Sequence, residues 1–152
     1  MNDLEKLLEE LKILNGRIEG ILEGSRFIEA EDLSFLDIDK TDSEQLFLTD
    51  ELRSILDSLE KAYRSISYLS RPIKSSSVLY KNNRGRYEAR DGSREYTSGS
   101  GIEALVYDDY NECNKWVSTR VEHDGQDYYL VGYKNVGMDG LKTRVRASGF
   151  YV

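Results

Sequence analysis

The chain has 152 residues, a formal net charge of −7 and 32% charged residues, with a single Cys and a single His. One thiol allows no disulfide within the chain, and one Cys with one His allows no Cys/His zinc site. No apolar run approaches the roughly 18 residues of a membrane span. Met1-Asn2-Asp3-Leu4-Glu5 lacks the basic-then-apolar start of a signal peptide, so a soluble, cytoplasmic protein is expected, with no cofactor, metal or membrane attachment.

The charge is uneven. Residues 1–76 hold 10 Lys+Arg against 17 Asp+Glu, whereas residues 77–152 hold 11 of each. Fourteen of the 18 Leu lie in the first half, and nine of the 11 Tyr in the second. The only Pro, Pro72, stands at the join before Ser75-Ser76-Ser77. Pro disfavours helix before it, and a serine run suits a connector. The composition predicts an α+β protein: a helical hairpin over 1–74, then a small all-β module over 75–152.

A first helix is expected from Asp3 to about Glu23. Leu4, Leu7, Leu8, Leu11, Leu14, Ile18, Ile21 and Leu22 recur at steps of three and four, the helical period. Asn2 or Asp3 is placed to cap it. Gly16, Gly20 and Gly24 mark either a fraying end or close approach to another helix. Residues 25–48 are irregular, with Phe27, Ile28, Leu33, Phe35, Leu36 and Ile38 needing cover. Asp37-x-Asp39-x-Thr41 begins like a calcium loop. Its sixth position is Asp42 and its twelfth Leu48, where Gly and Glu are required, so a calcium hand is excluded. Thr41-x-x-Glu44 reads as a capping box on a short turn of helix. A second helix is expected over Asp50–Ser70, capped by Thr49 or Asp50 and ended by Pro72.

Two helices cannot enclose a core. Their stripes leave Leu7, Leu11, Ile18, Leu52, Leu59 and Ile66 short of cover, and pairing with a second copy into a four-helix bundle would use both. A homodimer is expected.

The second half predicts short strands at 78–81, 86–90, 94–97, 102–107, 116–123, 128–133 and 141–146. Between them lie turns such as Asp91-Gly92, Asp124-Gly125 and Asp139-Gly140, a strong hairpin signal. Phe150 and Tyr151 would add a last strand. So many strands in about 75 residues suggest a small antiparallel barrel or strongly bent sheet.

Alternation assigns the faces. Leu141, Thr143 and Val145 share one side of their strand, and Lys142, Arg144 and Arg146 the other. Val117 and Val121 suit a core, which puts Trp116, Arg120 and Glu122 outside. Tyr87 and Ala89 oppose Arg86, Glu88 and Arg90. If these strands are neighbours, Arg86, Arg90, Trp116, Arg120, Lys142, Arg144 and Arg146 form one basic face suited to phosphates and stacked bases. The module is neutral overall, short of the usual footprint of a nucleic-acid domain. On this reading, Ser at 142, 144 and 146 would leave the fold intact.

Catalytic constellations are sparse. Cys113 lies in the acidic turn Asp108–Asn114, whose carboxylates oppose a thiolate. His123 ends a strand beside Glu122, where a structural role is the simplest account. There is no nucleophile elbow, Walker loop or zincin helix.

Gly85-Arg86-Tyr87, Thr97-Ser98-Gly99, Ile102-Glu103, Trp116, Arg120-x-Glu122-His123, Tyr128-Tyr129-Leu130 and Gly140-Leu141 together resemble an uncharacterised domain family of Gram-positive bacteria, their phages and other mobile elements. The resemblance covers residues 78–146 and implies no reaction. It implies the context of a mobile-element accessory protein, of the kind that binds and inhibits a host protein. The expected function is therefore non-catalytic protein binding, with no catalytic residues. Nucleic-acid binding through the basic face is the alternative, and a small enzyme built on Glu103, Arg120, Glu122 and His123 is the third reading.

Overall fold

In a computed structural model, residues 1–30 and 32–148 are described. The chain divides between Arg71 and Pro72 into a helical unit and a β unit. The break falls three residues before the position read from the serine run, because those serines are strand rather than connector.

Helix α1 spans Asp3–Gly24 without interruption at its glycines. Asn2 caps it reciprocally: its Oδ1 accepts from the Glu5 backbone N–H at 2.8 Å, and its own N–H donates to Glu5 Oε2 at 2.9 Å. A Cβ on Gly16, Gly20 or Gly24 would meet nothing within 4 Å, so close helix approach within the chain does not explain them. A four-residue helix, α2 (Phe27–Ala30), follows. Helix α3 runs over Ser43–Ser70, seven residues longer at its start than expected. Asp42, not Thr49 or Asp50, is its cap and accepts from the Glu44 and Gln45 N–H groups. Thr41 forms no capping box. It turns back onto Asp39, donating from its hydroxyl at 2.7 Å and its N–H at 2.9 Å. Inside the helix, Thr49 donates its hydroxyl to the Gln45 carbonyl at 2.7 Å, which removes its capping role.

The two long helices run antiparallel. Asn15 Nδ2 donates to Ser67 Oγ at 3.0 Å, and the Tyr63 hydroxyl donates to Glu19 at 3.2 Å. Ile18, Leu22, Phe27, Leu33, Leu56 and Ile66 form the core, with Leu11, Leu59 and Tyr63 against it. This corrects the expectation that six apolar positions lack cover. Ile18 and Ile66 are buried, Leu11 and Leu59 are half-buried, and only Leu7 and Leu52 stay exposed. The segment after α1 supplies the missing cover by folding Phe27 and Leu33 into the gap. It does so in part, since Ile28, Phe35 and Leu36 remain outside.

The β unit has seven strands: β1 (Ile73–Lys81), β2 (Tyr87–Ala89), β3 (Glu95–Tyr96), β4 (Gly101–Asp108), β5 (Cys113–His123), β6 (Tyr128–Leu130) and β7 (Lys142–Arg146). Ser75, Ser76 and Ser77 pair with Val145, Arg144 and Thr143. The 128–133 strand stops at Leu130, where the chain turns so that Tyr133 bridges back to it. Phe150 and Tyr151 lie outside the described residues. Asp124 caps the β5–β6 turn by accepting from the Gln126 and Asp127 N–H groups, and Gly125 there takes φ +94°.

The strands pair antiparallel in the order β3-β2-β1-β7-β4-β5-β6. β3 and β4 are consecutive, yet stand four strand spacings apart, about 19 Å in a flat sheet. The connection is a tight turn, closed by the Ser100 N–H on the Thr97 carbonyl at 3.0 Å. A turn of that kind spans less than about 7 Å, so the sheet must curl, and it forms a curled half-barrel. Leu79, Tyr87, Ala89, Tyr96, Ile102, Ala104, Val106, Val117, Val121 and Leu130 fill its inner side. Met138 and Leu141, from the connection before β7, join them. Polar contacts fasten the curl. Tyr87 donates its hydroxyl to Asp127 Oδ2 at 3.0 Å, Lys81 Nζ lies 3.2 Å from Asp127 Oδ1, and the Thr97 and Tyr128 hydroxyls meet at 3.4 Å.

Burial, then the hydrogen bond to Asp127, pushes the Tyr87 phenol from 10.0 up to about 12. The folded state disfavours the phenolate, so its stabilising effect is intact below pH 10 and is lost as pH rises through about 12. Denaturant unfolding of the wild type is expected to weaken by about 2–3 kcal/mol over that interval. Tyr87→Phe should cost about 1 kcal/mol at neutral pH and should flatten the alkaline decline.

Candidate functional site

The alternation read for β7 holds in its central part. Thr143 is buried beside Ala104 on the inner side, and Arg144 stands opposite Glu103 on the outer side. Trp116 pairs with Leu105, and Ser118 with Glu103. Glu103, Leu105, Trp116 and Arg144 therefore share the outer face of three adjacent strands.

Glu103 organises this face. Its side chain is 7% exposed. Arg144 donates to Oε1 from Nε at 3.1 Å and from Nη2 at 3.0 Å. Arg146 donates from Nε to Oε2 at 2.7 Å and from Nη2 to Oε1 at 3.2 Å. One carboxylate thus binds two guanidinium forks, the geometry in which Arg exceeds Lys. The Arg144 guanidinium carbon lies 4.4 Å from the Trp116 ring centroid, held over the indole face as a cation–π pair. Lys142 and Tyr107 are exposed at the margin of the same face.

The single basic face does not form. β1 separates β2 from β7, and β4 separates β7 from β5, so the three basic strands are not neighbours. Arg86 and Arg84 instead engage Glu95. Asn82 Nδ2 bridges Glu95 and Glu88, and the Tyr80 hydroxyl donates to Glu88. The Arg86 hydrogen bond holds the Glu95 carboxyl below its ordinary range. Arg90 lies 5.3 Å from the Tyr80 ring centroid, and Arg120 pairs with Glu122 at 3.2 Å. The expected cations are therefore dispersed over three places and largely matched by carboxylates.

The four residues of the enzyme reading do not converge. Glu103 is held by β7, and Arg120 and Glu122 hold each other. His123 lies five residues along β5 from Ser118, the partner of Glu103, or about 17 Å. Its Nδ1 accepts from the Gly125 N–H at 3.0 Å, and its ring meets Tyr128 edge-on at 4.6 Å. Cys113 is exposed at the start of β5. Among the described residues, no group of three or more His, Cys, Asp and Glu is placed to hold a metal ion. Nor is any helix among them long and apolar enough to cross a membrane.

The role of Glu103 is what sequence reasoning missed. Its only signal was a charged residue within the apolar run Ile102–Val106, and its partners became visible only with the β4–β7 register. This changes the expected effect of Ser at 142, 144 and 146, which would strand a buried carboxylate rather than leave the fold untouched. Glu103→Ala should cost about 2–4 kcal/mol in denaturant unfolding, below the full penalty for a sealed pair because Arg144 is 23% exposed. Lys142→Ser should move stability by no more than about 0.5 kcal/mol.

No curated protein matches the chain, and no solved structure matches it. Residues 76–146, from within β1 to the end of β7, match a family described as Domain of unknown function (DUF5348).

Proposed function

We propose that this chain is a non-catalytic interaction protein whose β unit recognises another protein through the outer face around Trp116, with the helical unit serving self-association. The observation that carries the reading is the Trp116–Arg144–Glu103 arrangement. A half-buried indole on the solvent side of a sheet, with an arginine fixed over it, is the composition of an interface hot spot. The arginine is held by a buried carboxylate, so little side-chain entropy remains to be lost when a partner docks. Exposed Tyr107 and Lys142 supply the margin. A host protein bound by a mobile-element accessory factor or inhibitor fits this surface and the family resemblance of the β unit.

Nucleic-acid binding ranks second. Arg144 and Arg146 already hold Glu103, and Arg86 and Arg120 hold carboxylates, so few cations remain to displace counterions from a phosphate backbone.

Affinity capture from lysate of the native host, with wild type and Trp116→Ala as paired baits, tests the reading. A protein retained by wild type and lost with Trp116→Ala is the expected result, with the variant's melting temperature within a few degrees of wild type. Equal capture by both baits removes Trp116 from the function. Retention on a DNA column at low salt, abolished by Lys142→Ser, would move the assignment to nucleic acid.

A further inference from the structure

The helical unit carries more apolar surface than its own packing uses. On α1, Leu7, Leu14 and Ile21 recur every seven residues; on α3, Leu48, Ile55, Ala62 and Leu69 do the same. The six larger side chains are 44–53% exposed. Along the paired stretch, each row follows the core by three residues: Leu14 after Leu11 and Ile21 after Ile18, then Ala62 after Leu59 and Leu69 after Ile66. Both rows are thus turned in the same sense from the core direction. Because the helices run in opposite directions, this brings both rows to one side of the hairpin. The pairing of Asn15 with Ser67 and Glu19 with Tyr63 sets Leu14 level with Leu69 and Ile21 with Ala62.

A third apolar position per heptad is what a helix needs when it faces two neighbours, and a hairpin offers each helix only one. We propose that this face is a homodimer interface, seated on the same face of a second copy to complete a four-helix bundle. The proposal rests on the self-association named above and assigns it a surface. Half-exposed side chains of this size place about 500 Å² of apolar area on the face, against ~800 Å² per partner in a standard interface with its polar rim included. A two-fold interface must be self-complementary, and two seven-residue rows on antiparallel helices meet that condition. The acidic charge of residues 1–76 does not oppose it at the centre. Between Ile55 and Leu69, the α3 side of the face offers Ser58, Ala62 and Ser65, with no charge. The surface differs from the six positions read from the stripes, since Ile18 and Ile66 are spent inside the protomer.

Sedimentation of the full chain from about 1 to 100 µM is expected to report twice the 17.5 kDa chain mass. Leu14→Lys with Ile55→Lys should raise the dimer dissociation constant on the order of 100-fold and leave helicity by circular dichroism unchanged. Ile13→Lys, exposed on another side of α1, should leave the dimer intact. If the double Lys variant loses helicity, Leu14→Ser with Ile55→Ser takes its place. A monomeric wild type at 100 µM overturns the proposal, whether the face is bare or belongs to a foreign partner, and so does a helical double variant with an unaltered dissociation constant. Capture by the Trp116 face is scored on a separate binding readout, so either claim can fail while the other stands.

Discussion

The connection from β3 to β4 constrains the rest of the β unit. It joins the first strand of the sheet to the fifth through a single tight turn, which a flat sheet cannot accommodate. Curling gives the sheet an inner side that apolar residues from Ala89 and Ala104 up to Tyr87 and Tyr96 fill. It also brings Asp127, at the β5–β6 turn, within reach of Lys81 on β1 and Tyr87 on β2, in the other half of the sheet. The bent sheet leaves an outer face on which side chains from distant parts of the chain meet.

Electrostatics on that outer face follow from burial. A buried carboxylate must be paired, and Glu103 is paired with two arginines from β7. The same pairing fixes Arg144 over Trp116. Charge that looks available in the sequence is thereby converted into structure. What remains at the surface is a half-buried indole with a guanidinium fixed over it.

The helical unit meets a different constraint. Its long helices are staggered, so α1 begins beyond the end of α3, and the first half of α3 extends beyond the end of α1. Phe27 and Leu33 cover part of the second overhang. The seven-residue rows on the remaining side receive no such cover, and a hairpin has no third helix to provide it.

Local physics made much of the architecture legible in the sequence alone. The helical period marked α1 and most of α3, alternation with Asp-Gly turns marked the strands, and the alternation of β7 correctly placed Thr143 inside and Arg144 outside. These features depend on residues a few positions apart. The start of α3 was misplaced because Asp42 and Thr49 are both competent caps and only backbone geometry separates them. The serines after Pro72 read as linker because their strand partners lie about seventy residues away. Strand order and register are likewise long-range. Only the folded chain could set Glu103 against Arg144 and Arg146, keep β2, β7 and β5 apart, and decide which apolar positions of the helices are spent inside the protomer. The pairing energies that settle such choices act between residues the sequence does not place side by side.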